Sequence, residues 1–311
     1  MNQFNLILRP AQAKKNLNLH YKRALAQNLF IFFMAIAKNG PIGIFDSGIG
    51  GLTVAAGISE ALPQESIIYL GDTAHLPYGE KSPEAIANYA LHISRFLVDQ
   101  GCKMLVIACN TASAAALGRL KAYWGDRLPI VDVITPLVKS MAQKNYKKVG
   151  VIGTKVTTRI DQYPQQLQAL RPDIAVSSLA TGMLASMIEE GFINNAVSQA
   201  VLHQYLNYPD FQDIEALLLA CTHYPLIRPE IEAFYGGRVA VFDSIAAVVE
   251  EVKQQLVQNN LQAEQDLAPL AQFYVTDYTP AFEKATALFY KRKLHLQELD
   301  WKEEGLSFAK T

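Results

Sequence analysis

Of the three cysteines in this 311-residue chain, Cys102, Cys109 and Cys221, two stand at matching places. Cys109 closes the run Leu105-Val-Ile-Ala and precedes Asn110-Thr111. Cys221 closes Leu217-Leu-Leu-Ala and precedes Thr222-His223, 112 residues further on (221 − 109). Two thiols facing one carbon from opposite sides can invert a stereocentre. One removes a proton from one face, the other delivers a proton to the opposite face, and the roles exchange for the other enantiomer. A free cysteine has a pKa of about 8.5, so a neighbour must raise its thiolate fraction or take its proton. His223 is placed to do this for Cys221, and Asp46, at the end of the first apolar run, can do it for Cys109 across adjacent strand ends. An isolated buried cysteine is usually a small hydrophobe under a loop, and Cys102, following Gly101, is read that way.

Asn110, Thr111 and Thr222 directly follow the thiols and suit the charged groups of an amino acid, although they also suit helix caps. Asp46-Ser47-Gly48-Ile49-Gly50-Gly51 offers backbone N–H groups and a hydroxyl that can hold a carboxylate at a helix N-terminus. Its glycine spacing is not GxGxxG, since Thr53 takes the last place, and no P-loop lysine follows, so nucleotide binding is disfavoured. Pro77-Tyr78-Gly79 reads equally as a loop tip closing over a ligand and as an ordinary turn. No CxxC or HxxxH spacing points to a metal and no lysine lies in a pyridoxal-phosphate context. The expectation is a reaction with no cofactor and no metal, its α-proton acidified by fixed hydrogen bonds and exclusion of water. Two other classes stay open. In a cysteine hydrolase or transferase, Cys221 and His223 would be nucleophile and base, leaving Cys109 idle. A binding protein with a cleft would need neither thiol.

Such residues need elements to hold them. After residue 40, β-rich apolar runs alternate with amphipathic helical stretches, the pattern of an α/β protein with parallel sheets. Strands are expected at 42–45, 66–70, 104–108, 130–133, 148–152, 175–178, 216–220 and 239–242. In open parallel sheets ligands sit beyond the carboxyl ends of strands, where Asp46-Ser47, Asp72-Thr73, Cys109 and Cys221 all fall. The chain also repeats itself. Besides the two cysteine runs, Gly43-Ile-Phe-Asp-Ser aligns with Gly150-Val-Ile-Gly-Thr, 107 residues on (150 − 43). Repeats of that length are duplicated domains. Two similar doubly wound domains are therefore expected, related by pseudo-two-fold symmetry, with one cysteine on each wall of the cleft between them. They comprise 41–134 plus 243–302, and 135–242; the tail, with Phe273-Tyr-Val-Thr-Asp and a helical stretch from Pro280, returns to the first.

A formal net charge of −1 with scattered Lys and Arg leaves no basic stripe for nucleic acid. Three distant cysteines make no disulfide framework, so reduced thiols are expected. In the first forty residues Lys14, Lys15, Lys22 and Arg23 precede a short apolar run, 29–37, which resembles a signal peptide. Gln27 and Asn28 interrupt it, it is too short to span a bilayer, and Met34 stands just before the first strand. Residues 1–40 are read as lying outside the fold, with a mis-set start favoured over a targeting segment.

The strings GIFDSGIGGLTV (43–54), YLGDTAHLPYGEKS (69–82), LVIACNTASA (105–114), LLLACTHYPLI (217–227) and FYVTD (273–277) closely resemble the glutamate racemase family, over residues 41 to about 300. CNTASA and CTHYPL are each distinctive and occur in the family's order and spacing; Ala220 stands where the family commonly has glycine. The resemblance implies two α/β domains with an interdomain site, and interconversion of L- and D-glutamate for peptidoglycan in a reduced, cytoplasmic setting. It implies acid/base roles for Cys109 and Cys221, assisted by Asp46 and His223. Asp46-Ser47, Tyr78-Gly79, Asn110-Thr111 and Thr222-His223 would bind substrate, with Thr154 and Thr157 as further candidates. Glu189 resembles a family carboxylate near the histidine. A homodimer is compatible with the resemblance, no membrane partner is expected, and aspartate racemase of the same superfamily is the neighbouring alternative.

Overall fold

The computed structural model describes residues 38–264, 268–302 and 305–308; the apolar run 29–37 and the start at Met34 lie outside the described residues. In chain order the elements are β1 (Ile42–Asp46), α1 (Leu52–Ala61), β2 (Ile67–Gly71), α2 (Pro83–Asp99), β3 (Met104–Ile107), α3 (Asn110–Trp124), β4 (Ile130–Asp132), α4 (Ile134–Ala142), β5 (Lys148–Gly153), α5 (Lys155–Ile160), α6 (Gln162–Leu170), β6 (Ala175–Ala180), α7 (Gly182–Glu189), α8 (Ala196–Leu206), β7 (Ala216–Ala220), α9 (Arg228–Tyr235), β8 (Ala240–Phe242), α10 (Ile245–Gln258), β9 (Ala271–Val275), α11 (Pro280–Tyr290), β10 (Gln297–Lys302) and β11 (Gly305–Phe308). All eight expected strands form, with ends shifted by a residue or two. β1, for example, runs on through Asp46 because Asp46 pairs with Gly71 of β2.

The strands lie in two sheets, ordered β11-β10-β9-β2-β1-β3-β4 and β6-β5-β7-β8. The quartet β2-β1-β3-β4 and the quartet β6-β5-β7-β8 have the same order, and every pairing within them is parallel. β1 therefore corresponds to β5 and β3 to β7, as the repeated cysteine runs require. Strands covered on both faces read as unbroken apolar runs: β1, β3 and β7 are buried at every position. The edge strand β6 carries two serines and stays half-exposed.

After β8, α10 leaves the smaller sheet and packs on α1, turning Val248, Val252 and Leu256 inward. β9 then pairs with β2, extending the larger sheet, and β10 and β11 close its edge as an antiparallel hairpin. No strand is expected at β9–β11 from the sequence alone, since only the last three residues of β9 are buried and β10 is mostly polar. The packed structure also reaches back to Lys38, three residues before the expected start at 41: the Lys103 ammonium donates to the Lys38 carbonyl at 2.7 Å while paired with buried Glu65. Among the described residues no helix is long and apolar enough to cross a membrane.

Candidate active site

Both thiols are set by the same local rule. Cys109 follows β3 and caps α3, its Sγ accepting the Ala112 N–H at 3.4 Å, while Cys221 directly follows β7. The two sulfur-bearing residues line one cavity of about 200 Å3. That is smaller than the roughly 300–1,000 Å3 of a drug-sized site, so the occupant must be small. One wall comes from the ends of β1, β2 and β3: Ser47, Leu76 to Gly79, and Cys109-Asn110-Thr111. The other comes from the ends of β5 and β7 and from α7: Thr154, Ala185, Ser186, Glu189 and Cys221-Thr222-His223. All three cysteines are free thiols. Cys102 lies apart from the cavity, buried against Gly43, where a Cβ would meet its Sγ at 2.9 Å.

The environments of the two thiols differ. Burial pushes the Cys109 thiol up to about 12; the negative charge of Asp46 adds to this, and the hydrogen bond to Ser47 only partly offsets it. Cys109 Sγ donates to Ser47 Oγ at 3.5 Å, so Ser47 is the hydrogen-bonding neighbour of the thiol. Asp46 is fully buried and does not line the cavity. Its Oδ2 accepts from the Gly48 N–H at 3.1 Å and its Oδ1 has no partner among the described residues. Burial raises the Asp46 pKa, and the positive field of His223 opposes that rise.

Cys221 Sγ lies 3.6 Å from His223 Nδ1, and Nε2 of the same ring lies 2.8 Å from Glu189 Oε1. Burial alone would lower the His223 pKa, but Cys221 and then Glu189 outweigh it and raise it to about 10. The ring therefore holds its second proton at neutral pH. A cation directed at sulfur from a fixed distance is what a thiolate base needs. Gly50 makes room for it, since a Cβ there would lie 2.4 Å from His223 Cε1, and Phe289 of α11 meets the ring edge-on with centroids 5.2 Å apart.

Among the polar lining residues, Asn110 is the most telling. Its Oδ1 accepts from the Tyr163 hydroxyl at 2.7 Å, which fixes the amide and leaves Nδ2 a buried donor without a partner among the described residues. Thr111, Thr154 and Thr157 form a triangle of hydroxyls 2.9 to 3.2 Å apart that joins α3 to α5; Thr157 itself does not line the cavity. Thr53 Oγ1 donates to the Thr222 carbonyl at 3.1 Å, tying α1 to the second cysteine loop. The Tyr78-Gly79 turn does wall the cavity, and Gly79 sits so close to Thr154 that a Cβ would meet its Cβ at 3.1 Å.

Sequence reasoning missed Ala185 and Ser186, although both lie within one helical turn of Glu189. It also missed Tyr163 and Phe289, whose only signal is contact across the fold. Among the described residues no group of three or more His, Cys, Asp or Glu is placed to hold a metal ion.

Residues 49–252 match the model of the family described as Asp/Glu/Hydantoin racemase. The glutamate racemase of Limosilactobacillus reuteri is 41% identical over 236 residues, 76% of this chain and 87% of that one. The glutamate racemase of Streptococcus pneumoniae is 36% identical over 264 residues, 84% of this chain and 99% of that one. A crystal structure of glutamate racemase from Francisella tularensis subsp. tularensis SCHU S4 in complex with D-glutamate superposes with a TM-score of 0.79 at 38% identity, covering 84% of this chain and 97% of the other.

Proposed function

The chain belongs to the Asp/Glu/Hydantoin racemase family and is an isomerase acting on glutamate, and from that premise we propose that Cys109 and Cys221 exchange the α-proton of glutamate across the cavity they share. What supports this is that two strand-end thiols, at corresponding places in two sheets of the same strand order, line a single small cavity. In the resting site Cys109 carries its proton, because burial disfavours its anion. Cys221, beside the protonated His223, acts as the base. It takes the α-proton from one enantiomer, leaving a planar carbanion delocalised into the α-carboxylate, and Cys109 returns a proton to the opposite face. The other enantiomer is processed with the roles reversed.

His223, Glu189 and Asp46 assist without lying between sulfur and carbon. Glu189 holds the ring's charge, and Asp46 favours positive charge at His223 while opposing an anion at Cys109. Asn110 Nδ2, the hydroxyls of Ser47, Thr111, Thr154 and Thr222, and the Tyr78-Gly79 turn receive the substrate's carboxylates and ammonium group. The two sheets form two domains, 41–134 plus 243–302 and 135–242, with β11 carrying the first on to Phe308. The reaction needs no cofactor or metal. The product serves peptidoglycan synthesis, and so wall biogenesis and cell shape, in the cytoplasm, where the free thiols stay reduced. A homodimer is the assembly in keeping with the family resemblance, and neither nucleic acid nor a membrane is a partner.

The test is isotope exchange in deuterium oxide on each glutamate enantiomer, with L-aspartate as the control substrate. Deuterium should enter the α-carbon as optical activity decays. Consumption of glutamate without α-exchange, or exchange confined to aspartate, would overturn the assignment.

A further inference from the structure

Tyr78 belongs to the cavity wall, yet its hydroxyl is committed to a buried knot centred on Asp72, which does not line the cavity. The Asp72 carboxylate is fully buried. Its Oδ2 accepts from Tyr78 at 2.6 Å, and its Oδ1 accepts from Thr276 Oγ1 at 2.7 Å and from the indole N–H of Trp301 at 2.9 Å. His75 Nδ1 lies 2.9 and 3.0 Å from the two oxygens. A carboxylate so far from water keeps a fixed orientation only while its oxygens are held by donors. Three of these four partners come from the ends of β2 and β9 or the loop after β2. The fourth, Trp301, comes from β10, the polar edge strand that sequence patterning does not reveal. An indole N–H can only donate, so its bond to Asp72 orients the carboxylate and moves no proton.

We propose that Trp301, through Asp72, is a positioning residue for Tyr78, so that the C-terminal hairpin sets the substrate-facing wall of the cavity. The inference rests on the racemase assignment above. Packing supports a fixed indole, because its ring meets His75 and Tyr89 edge-on at 4.8 and 6.0 Å. Trp301→Phe keeps this aromatic surface and removes only the donor. The wall touches substrate and transition state alike, so its loosening should appear in KM rather than kcat. A lost hydrogen bond to a buried charge, felt through one intermediary, gives a rise in KM for glutamate of roughly three- to tenfold with kcat nearly unchanged. In a Tyr78→Phe background the link is already cut, and Trp301→Phe should add nothing further to KM.

A measurement on the wild-type protein removes dependence on variants. The chain has only two tryptophans, and Trp124 donates its indole N–H to Ser94 at 2.9 Å, away from the cavity. With indole 15N labelling and assignment by Trp124→Phe, the Trp301 resonance should shift on saturation with D-glutamate while that of Trp124 stays. An unchanged KM in Trp301→Phe, the same KM increment in both backgrounds, or a Trp301 resonance unmoved by glutamate would overturn the inference. Wild-type protein without glutamate turnover would instead overturn the assignment on which it rests.

Discussion

Replacing Glu189 by Gln isolates the charge behind His223. Glu189 Oε1 is 2.8 Å from His223 Nε2, and the ring itself is only 8% exposed, so little water can substitute for the lost anion. A charge-assisted hydrogen bond in such a place is worth about 1.5–3 kcal/mol, and 1.36 kcal/mol corresponds to one pKa unit. Removing an anion destabilises the imidazolium, so the pKa must fall, from about 10 toward roughly 8 to 9. Cys221, which raises it more strongly than Glu189 does, keeps it above neutrality. Activity near pH 7 should therefore change modestly, while the alkaline limb of the kcat/KM profile moves down by one to two units. Circular dichroism of each glutamate enantiomer between pH 6 and 10.5 reads this directly. An alkaline limb that stays in place, or moves to higher pH, would refute the claim that Glu189 acts by holding the proton on His223.

Two further outcomes follow from the same geometry. Asp46 is a buried acid whose pKa is raised chiefly by burial, so the stability its neutral form contributes is full below pH 3.8 and is lost as pH rises through the raised folded value. At pH 7 Asp46→Asn should thus raise Tm by a few degrees, at about 2–4 °C per kcal/mol in a protein of this size, while lowering turnover; differential scanning fluorimetry beside the racemisation assay checks both, and a lower Tm would contradict the sign. Gly50→Ala places a Cβ 2.4 Å from His223 Cε1 and 2.6 Å from Thr222 Oγ1, so kcat/KM should drop by roughly 30-fold or more. Near-normal activity in that variant would show that the ring need not sit where it does.

The sequence was most legible where one signal served both fold and site. The buried parallel strands announce themselves as apolar runs, and their carboxyl ends carry Asp46, Cys109 and Cys221, so locating β1, β3 and β7 also locates the chemistry. Edge strands lack that signal: half of the residues of β10 are exposed, and its single deeply buried side chain, Leu299, makes no pattern. Glu189 aside, which the family resemblance supplied, the partners of the site residues were legible only when close in sequence. His223 stands beside Cys221, whereas Tyr163 meets Asn110 from 53 residues away and Trp301 meets Asp72 from 229. Asp46 was matched to Cys109 by neighbouring strand ends; its charge does act on that thiol, while Ser47 is the group hydrogen-bonded to the sulfur.

The deep burial of Cys109 has a consequence for the interval between turnovers. The enantiomers of glutamate have equal free energy, so the substrate pair gives no push in either direction. The free protein does, because a site that has handed over the Cys109 proton is left with its anion buried within the field of Asp46, and the proton gained by Cys221 stands next to a cationic ring. On the proposed assignment that form relaxes toward the resting one before the next molecule of the same hand can react. Proton return across an empty cleft then becomes a step of the cycle in its own right, and at very high substrate concentration it should compete with rebinding.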